Sequence, residues 1–451
     1  MRESSGSTAQ PRPCTCDLIY CINSMSAIWH SLGALVPPSL WTILLCWLSI
    51  HFVVLHCSSS KIHPRGCRRL GLAKDQSNLH DEFDPKYSKG VPSTQTDGDK
   101  PSWRIKALFT YPLKSCGGIE LQVSDVVPQG LKFDRQFAFA EHGTEGWTCR
   151  TLRNAGFQRL ALIHPEIWVP DPSAPDYDPS LPEVQSGGIM AISYPRPLPQ
   201  SHTKHLIKAC IALGLLESRH TFQIPLTPKK EPALPLLPVK IWKDKPLAHD
   251  YGALLPPSLH KYLGFDPTNS PLTLFRASDS HTREIYRNAP RKESIGFQPT
   301  TGFADAYPIH LLSLSSHRDV AAKCAYAIPR LSIRRFRANI IIQGPAAFAE
   351  DHWTRISIAD VEIYAACRTV RCRLPNVDPE TGVRHPVEPD RALKAYRRID
   401  DGDRTNACLG MQLVPARREF RVCVGDEVRV LETGVHRYIK MLAPGERAEG
   451  V

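Results

Sequence analysis

Two thiols, Cys367 and Cys372, stand five positions apart within Ala365–Gly382, among Arg368, Arg371 and Arg373. Guanidinium groups beside a thiol favour its ionised form, and a thiolate attacks electrophiles and binds soft metals. The following run, Pro375-Asn-Val-Asp-Pro-Glu-Thr-Gly382, is dense in residues that build rigid turns. The alternating residues 360–366 before it read as a strand entering that loop. A thiol at such a junction, in a positive field, is a candidate nucleophile or metal ligand. A buried packing cysteine is the other reading the residues allow. Cys408 and Cys423 are isolated, so no second pair stands at zinc spacing.

Several places could hold an anion. Lys114-Ser115 beside Gly117-Gly118 offers a cation, a hydroxyl and accessible backbone, as phosphate sites do; a solvated loop lysine is the plainer reading. Arg135 interrupts the strand-like KFDRQFAFA, where an unpaired charge is costly. It either meets a ligand or pairs with Asp134. Asp305, just ahead of the apolar Ile309–Ser313, is a turn residue or a polar hook. The densest charge run is Arg330–Asn339, and arginine forks grip phosphate in two contacts. Read as a strand, it puts Arg335 and Arg337 on one face and turns Arg334 to solvent. Glu350-Asp351-His352 reads as structural, for lack of a second ligand at metal spacing.

The elements that must position these groups are mostly strands. Arg104–Tyr111, Ile119–Val127 and Lys132–Ala140, with turns between, form a meander of the barrel or sandwich kind. Leu272–Arg276, Ile309–Ser313 and a hairpin-like Val422–Val430 continue the pattern, and Thr203–Leu216 has helical spacing. Forty prolines in 451 residues argue against a helical bundle. The net charge of +11 suits an anionic ligand, a membrane surface or nucleic acid. Nucleic acid is set aside, because no basic stripe with interleaved aromatics is present. The fourteen scattered cysteines read as reduced thiols facing the cytosol. Leu40–Cys57 is apolar, free of Asp, Glu, Lys and Arg, and long enough to span a membrane. Lys61, Arg65, Arg68 and Arg69 follow it, which orients the rest of the chain to the cytosol. Residues 1–39 read as an extension, with Met25 an alternative start, and polar 58–101 as a linker without a fold of its own.

Taken in order, Tyr111-Pro-Leu-Lys-Ser-Cys-Gly-Gly-Ile, Gly130-Leu-Lys-Phe-Asp-Arg, Phe336-Arg-Ala-Asn-Ile, Glu350-Asp-His-Trp, Arg371-Cys372, Val377-Asp-Pro-Glu-Thr-Gly and Val424-Gly-Asp-Glu-Val form a pattern. It resembles the MOSC domain and the β-barrel that precedes it, and is similar to the membrane-anchored amidoxime-reducing components. The resemblance implies an α+β, mainly β fold: a MOSC N-terminal β-barrel over 102–255, then a MOSC-type β-barrel over 256–440 and a tail over 441–451. The single transmembrane helix 40–57 would precede them. It implies a molybdenum cofactor, with Cys372 the metal ligand and catalytic residue. Lys114, Ser115, Arg135, Asp305, Arg337, Asn339 and Arg371 would hold the pterin. It implies reduction of N-hydroxylated small molecules with electrons from a cytochrome b5-type donor and its reductase, since no glycine-rich nicotinamide or flavin fingerprint is present. The membrane would be the mitochondrial outer membrane or the endoplasmic reticulum. A cofactor carrier or sulfur-transfer module and a degenerate tethered adaptor are the rival classes. Ala306, Ala338, Val370 and Leu409-Gly-Met-Gln depart from the family pattern.

Overall fold

In the computed structural model, residues 41–47, 49, 63–199, 203–228, 233–265 and 271–440 are described. The extension 1–39 with Met25, most of the second half of the apolar run, and the tail 441–451 lie outside them. Two units partition the chain: residues 1–62 with 200–217, and residues 63–199 with 218–451. In the first, residues 41–47 are helical, as is Thr203–Ala212. Among the described residues no helix is long and apolar enough to cross a membrane.

The second unit is built on strands. We label β1 Arg104–Thr110, β2 Ile119–Leu121, β3 Phe137–Gly143, β4 Gly146–Cys149, β5 Leu236–Lys240, β6 Leu247–Asp250 and β7 Leu272–Ala277. β8 Ile309–Ser313, β9 Ile340–Gln343, β10 Trp353–Ile358, β11 Val361–Arg371, β12 Ala407–Pro415 and β13 Val428–Thr433 follow. A closed barrel runs β5-β6-β7-β3-β4, and an eight-stranded sheet runs β13-β10-β11-β12-β8-β9-β1-β2. The fold is mainly β and contains a barrel, as expected, but the boundary at 255/256 does not divide it. β1 and β2 belong to the sheet of the later half, and β7 closes the barrel of the earlier half. β7 thereby closes the barrel and leaves it without an edge strand, while the open sheet ends in β13 and β2.

The linker expectation is corrected from residue 63 onward. Cys67–Arg69 pairs with His164–Pro170, and Leu79 and Tyr87 are buried in an apolar cluster with Leu312 and Phe336. Glu82 accepts the Ile333 N–H at 3.0 Å, and Asp81 bridges Lys86 and Lys106 at 2.9 Å each. Composition hid this because two large anchors and paired charges suffice to dock a polar segment. The Arg330–Asn339 run is corrected too. Ile333–Phe336 is one 3₁₀ turn capped by Ser332, not a strand. Arg334 is partly exposed and holds Glu120 at 2.9 Å. Arg335 clamps the turn after the thiol, donating to the Pro375 and Asn376 carbonyls and pairing with Asp378 at 2.6 Å.

Two local features shape the sheet beneath the site. β11 loses register with β12 between Ala365 and Cys367 and again between Arg368 and Val370. Such bulges re-aim side chains and break alternation, so residues 365–369 are all buried. Gly410 on β12 has φ +78°, and a Cβ there would meet the Leu311 carbonyl oxygen at 2.4 Å and His310 Nε2 at 2.8 Å. Only glycine lets β12 lie this close to β8.

Candidate functional site

A cavity of about 580 Å³ opens where the barrel and the sheet meet. All eight residues singled out from sequence line it: Lys114, Ser115, Arg135, Asp305, Arg337, Asn339, Arg371 and Cys372. Each is set by its element. Lys114 and Ser115 sit in the turn after β1, Arg135 just before β3, and Asp305 just before β8. Arg337 ends the 3₁₀ turn, Asn339 precedes β9, and Arg371-Cys372 is the end of β11. Ser115, Arg135, Trp242 and Arg337 are four of the eight non-glycine residues with positive φ among those described, and all four face this cavity. Strained backbone concentrated in one place is a mark of a functional site.

The polar groups form a network. Lys114 Nζ donates to the Phe303 carbonyl at 2.8 Å and pairs with Asp305 at 2.5 Å. Burial opposes ionisation of Asp305, but the Lys114 charge and hydrogen bond outweigh it and hold its pKa at about 2. Arg135 donates to Asp134 at 2.6 Å, to Asn339 Oδ1 at 2.8 Å and to the Arg337 carbonyl at 2.9 Å. Asn339 in turn donates to Asp134 at 2.9 Å and to the Phe109 carbonyl at 3.1 Å. Its amide is thus spent on fixing Arg135 and Asp134. The guanidinium groups of Arg135 and Arg337 both lie over the Tyr111 ring, 4.6 and 4.3 Å from its centroid.

Other groups are left over. Arg337 Nη2, Arg368 Nε, Arg371 Nε, Thr369 Oγ1 and His310 Nε2 are buried against this cavity without a hydrogen-bond partner among the described residues. Buried polar atoms are normally paired, so five orphans around one cavity describe a binding surface for a polar ligand. Burial lowers the pKa of both Arg337 and Arg371 to about 10, which leaves them cationic at neutral pH. The orphans point to an anionic ligand.

The thiol expectation is corrected in sign. Burial raises the Cys372 pKa. The Leu374 N–H and the charges of Arg153 and Arg371 pull it down, but do not prevail. The flanking arginines are engaged elsewhere: Arg368 pairs with Asp400 at 3.2 Å, Arg373 with Asp390 at 3.5 Å, and Arg371 donates to the Phe336 carbonyl at 3.0 Å. Cys367 lies outside the cavity, in a satellite cluster with Ile285, Tyr307 and Val414. Burial pushes its pKa to about 12, which marks it as a packing residue. Glu350 and Asp351 are buried away from the cavity, and Asp351 pairs with Arg397 at 2.6 Å.

Sequence reasoning missed Arg153, Trp242, His310, Arg368 and Thr369 as cavity residues. Arg368 and Thr369 were hidden by the bulges of β11. His310 sits inside a strand that reads as wholly buried, and nothing local marks it.

A single thiol beneath a ring of cations and orphan donors, at the junction of a barrel and a mixed sheet, defines a cofactor-binding class of β protein. Residues 298–429 match the MOSC domain and residues 102–173 the MOSC N-terminal beta barrel domain, so the chain carries a match to each of these two domains. Mitochondrial amidoxime-reducing component 1 of Mus musculus is 37% identical over 101 residues, 22% of this chain and 29% of that protein. The Danio rerio protein of the same name is 35% identical over 126 residues, 28% of this chain and 38% of that protein. Molybdenum cofactor sulfurase of Bos taurus is 24% identical over 344 residues, 72% of this chain and 33% of that protein. The matches thus span only about a third of the length of these relatives.

Proposed function

We propose that the protein is a molybdenum-cofactor-binding oxidoreductase that reduces N-hydroxylated small molecules with electrons from an external donor. One observation carries this reading: a thiol and five residues that each carry an unpartnered buried polar atom line one cavity, together with further cations. That donor set fits the cofactor. Cys372 offers a soft thiolate to molybdenum. Arg337, Arg371 and Lys114, with the hydroxyls of Ser115 and Thr369, suit a pterin phosphate. Among the described residues no cluster of three or more His, Cys, Asp or Glu stands ready for a metal, so Cys372 would be the single protein ligand.

When bound, the cofactor supplies a centre that exchanges an oxygen atom and two electrons. This chain's residues do the rest. Cys372 must lose its proton to ligate, and the charges of Arg371 and Arg153 favour the anion that results. Arg135, itself fixed by Asp134 and Asn339, holds the Arg337 backbone at the cavity wall, where that guanidinium lies over Tyr111 and donates to the Cys116 carbonyl at 2.6 Å. The net reaction breaks one N–O bond, consumes two electrons and two protons and releases water. A cytochrome b5-type protein and its reductase would deliver the electrons. Residues 40–57 would anchor the chain with the site facing the cytosol. The names of the amidoxime-reducing relatives favour the mitochondrial outer membrane over the endoplasmic reticulum.

A second reading is a cofactor carrier or sulfur-transfer module that uses Cys372 as a persulfide. It is favoured by the length of the match to molybdenum cofactor sulfurase, 72% of this chain. The test is to express the full chain with a molybdenum-cofactor supply and measure bound molybdenum. We expect close to one molybdenum per chain, lost in Cys372→Ala and kept in Cys367→Ala. No metal in the parent, under conditions that load a known MOSC reductase, refutes cofactor binding. Loaded protein that a reduced donor cannot drive refutes the reductase and favours the carrier.

A further inference from the structure

The cofactor reading leaves the mouth of the cavity unused. There, Trp242 and Lys243 form a two-residue loop between Ile241 and Asp244, which exchange backbone hydrogen bonds of 2.9 and 3.0 Å. Trp242 has φ +57°. The first place of such a hairpin loop favours glycine, and a bulky aromatic there is an outlier. Strain of this kind persists where the surroundings hold it, and it collects at ligand sites.

Two contacts hold the indole. Its Nε1 donates to Asp305 Oδ1 at 3.2 Å, and the Arg153 guanidinium lies over its ring, 4.5 Å from the centroid. Arg153 is itself placed by a tight turn. Its backbone N–H donates to Thr151 Oγ1 at 3.2 Å, and the Thr151 N–H donates to Asn154 Oδ1 at 3.0 Å. Both Arg153 and Trp242 line the cavity. Unlike Arg135 and Arg368, Arg153 has no carboxylate partner among the described residues. An arginine lying over an aromatic face keeps the donors at its edge available, and that fork matches a carboxylate in two parallel bonds.

We propose that Arg153, held over Trp242, makes the protein selective for substrates that carry a carboxylate in addition to the reducible N–O bond. This rests on the reductase reading above. It adds a specificity residue outside the set that would hold the cofactor, and it names the substrate class as anionic.

The test uses two aromatic N-hydroxyamidines that differ only in a para substituent, carboxylate in one and carboxamide in the other. With the loaded full chain, kcat/KM should favour the carboxylate roughly tenfold, chiefly through KM. In Arg153→Gln the ratio should fall to about one, and it should fall likewise in Arg153→Lys, which keeps the charge beside Cys372 without the planar fork and whose molybdenum content should match the parent. Trp242→Gly should lose the same preference without lowering the melting temperature, because glycine relieves the strained loop. An equal preference in parent and Arg153→Gln overturns the proposal. So does loss of molybdenum from Arg153→Lys, which would place the Arg153 fork with the cofactor. If the parent reduces neither compound, the reductase reading falls, and titration of the same two compounds by tryptophan fluorescence decides the rest. Carboxylate binding roughly tenfold tighter than carboxamide, abolished in Arg153→Gln, upholds anion selection; equal binding overturns it.

Discussion

Glu350→Gln should change how stability depends on pH. Glu350 is fully buried, and neither carboxyl oxygen makes a full hydrogen bond among the described residues. Burial is the main cause of its raised pKa, and Asp351 adds to the rise. The Ser316 hydroxyl and Arg397 relieve it only in part, leaving a pKa of about 7 against an ordinary 4.5. The folded protein therefore keeps this proton to higher pH than the unfolded chain. The stabilisation it brings is complete below about pH 4.5 and is lost as pH rises through about 7. A shift of this size corresponds to about 3 kcal/mol. For a folded unit of this length that is about 4 °C in melting temperature. The assay is thermal unfolding of parent and Glu350→Gln at several pH values from 5 to 8. Glutamine has its own cost in an apolar site, but that cost does not vary with pH. The parent should lose about 3 °C relative to the variant across this range, since part of the stabilisation is already lost at pH 5. Parallel curves would refute the argument.

Three further outcomes are expected. Arg135→Lys keeps the charge but loses the planar fork that reaches Asp134, Asn339 and the Arg337 carbonyl together; it should lower stability by about 1–3 kcal/mol in urea unfolding and weaken molybdenum retention, since Arg337 loses its brace. Gly410→Ala forces a Cβ against the Leu311 carbonyl at a positive φ. It should cost at least about 1 kcal/mol, read by the same unfolding titration. Cys367→Ala should cost about 1–2 kcal/mol by leaving a small void in its apolar cluster. An equal loss of metal in Cys367→Ala and Cys372→Ala would contradict the packing role.

The residues legible in the sequence were those whose chemistry conflicts with their neighbourhood. A lysine and a serine among glycines, an arginine inside an apolar strand, and a thiol among arginines each stand out without a fold. Less legible was anything that depends on register. The Arg330–Asn339 run alternates well enough to pass for a strand, and only the Ser332 cap and the αL Arg337 reveal a 3₁₀ turn. That error misplaced both arginines: Arg334 pairs with Glu120, and Arg335 clamps the turn after the thiol instead of facing a ligand. Period-two reasoning also failed on β11, because two bulges bring Arg368 and Thr369 to the same cavity as Arg371. Polar composition misled over residues 63–101, whose docking rests on Leu79, Tyr87 and paired charges.

The same arginines explain why the positive field does not yield a free thiolate. A guanidinium lowers a neighbouring thiol's pKa only to the extent that its charge is unspent. Arg368 is neutralised by Asp400 and Arg373 by Asp390, while Arg371 spends one arm on the Phe336 carbonyl. What remains unspent is directional: Arg337 Nη2, Arg368 Nε and Arg371 Nε, on residues that line the cavity, are buried and meet no acceptor among the described residues. Such a site is poor at activating a nucleophile by itself and well suited to receiving an anion that brings its own acceptors. The thiol then becomes useful when that ligand also brings a metal to replace its proton. This order of events, anion first and thiolate second, is why binding of a charged cofactor fits the geometry better than a free cysteine nucleophile does.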